Sequence, residues 1–172
     1  MARTEKPRAR EEDRDEFDER VVDINRVAKV IKGGRRFGFR TVMVVGDNRG
    51  SVGIGVGRAQ NVPDALRKSA DRARKNMRKI PMVGTTVPHE HVGIVSGARV
   101  LLKPASPGTG IIAGGPVRSV MEQVGVHNIL TKRYGSKNAM NLVYATLNGL
   151  LNLKDAVTIA NKRQITIKEV FN

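Results

Sequence analysis

The chain has 172 residues, which suits one medium domain or two small ones, each with a modest core. It carries 31 Lys and Arg against 16 Asp and Glu, a formal net charge of +15, and no cysteine. Disulfides, thiolate metal sites and cysteine nucleophiles are thereby excluded, and the excess of positive charge points to a polyanionic partner.

Residues 1–20 hold eight acids, half of the total, and six bases. That mixed-charge composition predicts a disordered tail with room for a short helix at its end. The first residues lack the apolar core of a signal peptide, and no apolar run approaches the ~18 residues of a membrane span. A cytoplasmic protein with no membrane partner is expected.

From residue 21 the pattern is strand-like. VVDINRVAKVI is rich in β-branched residues and ends at Gly33-Gly34. FGFRTVMVV follows, with Phe37, Phe39, Thr41, Met43 and Val45 on one face, and Phe37 and Phe39 are expected to anchor it in the core. After the turn GDNRG comes SVGIGVG, where Val52, Ile54 and Val56 alternate with Gly53, Gly55 and Gly57. This predicts a strand with one packed face and one bare face that admits another backbone closely. It is not a dinucleotide loop, because no helix opens within it. Three consecutive antiparallel strands result.

Pro63 suits the first turn of a helix predicted to run through residue 80. Leu66, Ala70, Ala73, Met77 and Ile80 fall on its inner stripe. Lys68, Arg72, Lys75 and Lys79 form a second stripe, with Arg67, Arg74 and Arg78 beside it. A charged stripe can be a plain solvated face, but in so basic a chain it is also a phosphate-facing candidate.

Residues 81–88 read as a linker. Strands are predicted over 87–95 and 98–105, then a Gly-rich loop over 105–116. The loop leads to a helix with Val117, Val120, Met121 and Val124 on its inner face. A strand over 126–135 and a helix over 138–153 follow, the latter with Met140, Val143, Leu147 and Leu151 inward. From Lys154 the sequence is basic and weakly periodic, and partial order at best is expected. The fold class is α+β, divided into a tail (1–20), a first domain (21–84), a second (85–155) and a basic tail (156–172).

No catalytic or metal constellation emerges. GTGIIAGGP leads to a helix start, which favours anions, but lacks the Lys-Ser/Thr pair of a nucleotide loop. His89 and His91 share a strand face with no third ligand nearby, and neutral, hydrogen-bonded rings are expected. Asp47 belongs to a turn, Glu122 to a helix face, and Ser106 and Ser136 have no base close in sequence. No enzyme activity, cofactor, metal or small-molecule substrate is expected.

Several long motifs occur in a telling order: INRV at 24–27, VIKGGRRFGF at 30–39, VVGDNRGSVGIGVGRA at 44–59 and VPDALRKSADRARKNM at 62–77. KPASPGTGIIAGGPVRSVMEQVGVHNI at 103–129 and KRYGSKNAMNLVYATLNGL at 132–150 complete the series. Over about residues 20–165 the chain resembles the family of bacterial ribosomal protein five of the small subunit. The resemblance implies an N-terminal domain similar to a double-stranded-RNA-binding fold, with a three-stranded antiparallel sheet and one helix. It implies a C-terminal domain of βαβ type.

It further implies binding to small-subunit rRNA, stabilisation of the body and the head–body junction, and a place lining the tunnel through which mRNA enters. Implied neighbours are small-subunit proteins four and eight, the contact with protein four bearing on translational accuracy. The resemblance and the charge pattern together nominate Arg26, Lys29, Lys32, Gly33, Gly34, Arg35, Arg36, Arg40, Arg49, Arg58, Lys68, Arg72, Lys75, Lys132 and Arg133 for RNA contact. Gly108, Gly110 and Arg118 match the region that faces protein four. Pro107 departs from the family, where an acidic residue is common. A free-standing duplex-RNA regulator and a small-molecule kinase are the alternatives from other classes.

Overall fold

The computed structural model of the chain describes residues 17–170; residues 1–16 of the tail expected over 1–20 lie outside the described residues. The first half contains β1 (Asp18–Ile31), β2 (Gly34–Gly46), β3 (Ser51–Ala59), α1 (Val62–Lys75) and the two-residue β4 (Arg78–Lys79). Its four strands form one sheet in the order β1-β2-β3-β4, antiparallel throughout. The second half contains β5 (His91–Val95), β6 (Ala98–Pro104), β7 (Ile111–Ile112), α2 (Gly115–Val124), β8 (Ile129–Gly135) and α3 (Ala139–Leu151). Its sheet order is β5-β6-β8-β7; β7 and β8 are parallel with α2 between them, which makes a βαβ unit. The chain continues as α4 (Ala156–Arg163) and α5 (Ile167–Val170). The fold is α+β, as the pattern indicated.

The bare glycine face of β3 is where α1 docks. A methyl group on Gly53, Gly55 or Gly57 would stand 2.1, 1.9 and 2.0 Å from the carbonyl oxygens of Ala73, Ser69 and Ala65. Two residues of strand advance about 6.8 Å and four of helix about 6 Å, so each glycine meets a successive turn of the helix. Thr41 on β2 closes the same seam, its hydroxyl lying 2.9 Å from the Ala65 carbonyl and 3.0 Å from Ser69 Oγ.

This approach corrects the expected inner stripe of α1. The buried residues are Ala65, Ser69, Ala70 and Ala73, while Leu66 and Met77 are half-buried, because only small side chains fit at backbone contact. The helix also stops at Lys75 instead of reaching residue 80. Arg78 and Lys79 are extended and pair with Val52 and Ser51, satisfying the edge of β3, which leaves Ile80 to enter the core.

Val42 and Val44 of β2, Val52 and Ile54 of β3, and Ile80 point away from α1. The latter four join Val100, Leu102, Val117, Val120, Met121 and Val124 in a single apolar cluster. The N-terminal sheet is thus sandwiched, and residues 41–46 are buried along their whole length. The two halves share a core. Backbone bonds add to the union: Asn48 N donates to the Gln123 carbonyl (3.2 Å) and Gly50 N to that of Val124 (2.9 Å).

Four further expectations are revised. Strand β1 begins at Asp18, so residues 18–20 belong to the sheet and not to the tail. The Gly-rich loop contains β7, recruited by the exposed edge of β8. The buried face of α3 is Leu142, Val143, Ala145, Thr146, Gly149 and Leu150, with Met140, Leu147 and Leu151 further out. Its small residues turn inward because Gly93 of β5 approaches within backbone contact of Ala145 and Gly149. The stretch after Lys154 forms α4 and α5, with Ala160 buried.

Candidate nucleic-acid interface

β1 and β2 stay paired as far as Ile31 and Gly34, but β3 accompanies β2 only from Phe39 to Gly46. Residues 27–38 therefore stand beyond the body as a two-stranded arm. Such a ribbon is marginal alone, and here its second strand continues into residues 41–46 of β2, which are buried on both faces. Lys32 and Gly33 form the two-residue loop at its end. Gly33 and Gly34 have φ of 93° and 135°, and open space surrounds the position of a side chain at either. They supply the bend without blocking an approaching backbone.

The register sets like charges side by side. Lys29 lies opposite Arg36, and Arg40 of β2 opposite Arg58 of β3. Such pairs repel, which makes them costly unless an anion sits beside them. Among the described residues no ion pair involves Arg26, Lys29, Lys32, Arg35, Arg36, Arg40 or Arg58. Arg40 is half-buried, and its Nε has no hydrogen-bond partner among the described residues. Phe37 corrects another expectation: it is 53% exposed, because β3 ends before it, and it carries the Arg26 guanidinium 4.1 Å from its ring centroid. Phe39 is half-buried.

On α1, Lys68, Arg72 and Lys75 are exposed, and the Arg72 guanidinium also donates to the Val56 carbonyl. Arg74 is engaged by Glu19 and Asp71, and Lys79 belongs to β4, so neither extends the helical stripe. Arg49 projects from the turn after β2 and, with Arg78 and Lys79, borders an open cleft of about 610 Å³. Asp47 shapes that turn by accepting from the backbone N–H groups of Arg49 and Ser51, both at 2.8 Å. Burial alone would raise its pKa, but those two N–H groups and the Ser51 hydroxyl outweigh it and hold the carboxyl below its ordinary value.

Lys132 and Arg133 lie on β8 in the other sheet, so the fold does not place them on the arm. They border a recess of about 580 Å³ with Gly114, Gly115 and Lys137, the last a base the sequence pattern did not single out. His89 is bonded at both ring nitrogens, Nδ1 to the Glu90 carbonyl (2.9 Å) and Nε2 to the Lys154 N–H (3.0 Å). Among the described residues no group of three or more acids and histidines could hold a metal ion, and no helix is long and apolar enough to cross a membrane.

Gly108 and Gly110 are held together by a residue that sequence reasoning missed, while Arg118 is tied to the neighbouring Ile111. Buried Asn128 accepts at Oδ1 from the backbone N–H groups of Gly108 (3.0 Å) and Gly110 (3.1 Å), and its Nδ2 donates to Thr85 Oγ1 (2.9 Å). Arg118 donates to the Ile111 carbonyl at 2.7 Å and lies 3.9 Å from Glu122. A lone amide between Val126 and Ile129, just after a helix, was the available signal. Asn128→Ala strands three polar partners at about 1 kcal/mol each, so a loss of roughly 2–3 kcal/mol in denaturant-measured stability is expected.

Two family models match the chain: the N-terminal domain of ribosomal protein S5 over residues 17–81, and the C-terminal domain of ribosomal protein S5 over residues 93–163. The small ribosomal subunit protein uS5 of Thermotoga maritima is 50% identical over 157 residues, covering 91% of this chain and 88% of that protein. Its counterpart from Thermotoga neapolitana matches to the same extent, and that of Thermotoga petrophila is 49% identical. The chain belongs to the ribosomal protein S5 family. Ribosomal S5 proteins are structural, RNA-associated components of the small subunit in the bacterial cytoplasm, not enzymes.

Proposed function

We propose that this S5-family chain grips small-subunit rRNA mainly through the β1–β2 arm, using Arg26, Lys29, Lys32, Arg35 and Arg36, with Arg40 and Arg58 at its base. Gly33 and Gly34 give the arm its bare tip. Lys68, Arg72 and Lys75 of α1, Arg49, and Lys132 with Arg133 on the second sheet make supporting phosphate contacts. The arm reaches the head–body junction beside the tunnel that admits mRNA, and the first half acts in the manner of a double-stranded-RNA-binding domain. The loop of Gly108 and Gly110 ordered by Asn128, together with Arg118, abuts protein four, through which the chain bears on translational accuracy; protein eight is a further neighbour.

The supporting observation is the register that sets Lys29 against Arg36 and Arg40 against Arg58 with no acid in reach among the described residues. Folded RNA offers phosphates at fixed spacings, and a rigid sheet with basic projections matches them by shape. Added to small subunits lacking their own S5 protein, the chain should co-sediment with them through a moderate salt wash. Recovery in the soluble fraction alone would refute the proposal.

A further inference from the structure

Where β3 stops at Ala59, opposite Phe39, the arm and the body enclose an open groove of about 660 Å³. Phe37, Phe39, Arg36, Arg58, Gln60 and Lys68 are among its lining residues, and it contains no acidic group. Its size falls in the range of about 300–1,000 Å³ typical of small-ligand sites. Four bases, Lys29 included, argue for an anionic occupant, and an exposed aromatic ring at the same place argues for a planar one. Phosphate alone engages the basic side chains but not the exposed part of the Phe37 ring, and an intact duplex keeps its bases stacked inside. An unpaired nucleotide satisfies both features, since splayed bases stack on aromatic rings. Arg26, seated over the Phe37 ring, holds that ring in place before any base arrives.

We propose that this groove is a subsite for one unpaired rRNA nucleotide. Its base stacks on Phe37, its edge meets the Gln60 amide, and Arg36, Arg58 and Lys68 take the flanking phosphates. The assignment rests on the rRNA-binding reading above and adds a single-strand preference that phosphate contacts alone do not produce.

Two RNA duplexes, identical except for one unpaired 2-aminopurine nucleotide, test it with the full chain. The bulged RNA should bind about tenfold more tightly, the scale of a single base–aromatic stack. Phe37→Leu should abolish that preference while keeping the affinity for the plain duplex, and Phe37→Tyr should retain it. Equal affinity of the unaltered chain for the two RNAs, or an undiminished preference in Phe37→Leu, would overturn the subsite. If either occurs while the chain still binds small-subunit rRNA, the subsite alone falls; no binding to that rRNA would remove both readings.

Discussion

Gly55→Ala is expected to cost about 3–5 kcal/mol of stability, and Gly55→Val to prevent α1 from seating at all. The new methyl group would lie 1.9 Å from the Ser69 carbonyl oxygen and 2.6 Å from the Ala73 nitrogen, both backbone atoms of a helix that cannot give way locally. Relief requires the whole of α1 to move outward. Overpacking of a close-packed core costs about 1–3 kcal/mol. An outward shift also stretches the Thr41 hydrogen bonds to Ala65 and Ser69, at about 1 kcal/mol each, and opens voids around Met43 and Val45. Gly115→Ala serves as the control: nothing lies within 4 Å of its added methyl, so a change below about 1 kcal/mol is expected. Denaturant titration distinguishes the outcomes, and a Gly55→Ala protein as stable as the control would refute backbone contact at this seam.

The second large effect concerns binding. Replacing Lys32, Arg35 and Arg36 together by Ala should leave the fold intact, since all three are exposed and none is in an ion pair among the described residues. Each lost phosphate contact lowers the slope of log affinity against log salt by about 0.7–0.9, so the slope should flatten by roughly two to three units. At low salt the affinity for small-subunit rRNA should fall by more than about tenfold. Filter binding across a salt series measures both quantities. An unchanged slope would show that the end of the arm touches no phosphate.

These two predictions rest on features of different visibility in the sequence. The glycine seam was readable because an alternation of period two states directly which face lacks side chains. The helix opposite was overextended in sequence because RARKNMRKI has no breaker; what ends α1 is the unpaired edge of β3, a tertiary fact. Phe37 was misplaced for a related reason. Its alternation with Phe39 and Thr41 is regular, but burial depends on how far the neighbouring strand runs, and β3 ends at Ala59. The bases of the arm were evident from composition, yet their confrontation as Lys29 with Arg36 and Arg40 with Arg58 depends on register, which no local pattern fixes. Asn128 escaped notice because its partners, Gly108, Gly110 and Thr85, lie 18 to 43 residues away.

The absence of cysteine from the chain allows a direct test of where the arm lies. Lys32→Cys supplies a single attachment point for an iron chelate that releases hydroxyl radicals next to the hairpin tip. With the derivatised chain assembled into small subunits, strand cleavage should appear in the small-subunit rRNA, confined to segments that converge around the head–body junction. Bound chain that yields no rRNA cleavage from position 32 would contradict the assignment of the arm as the principal RNA contact.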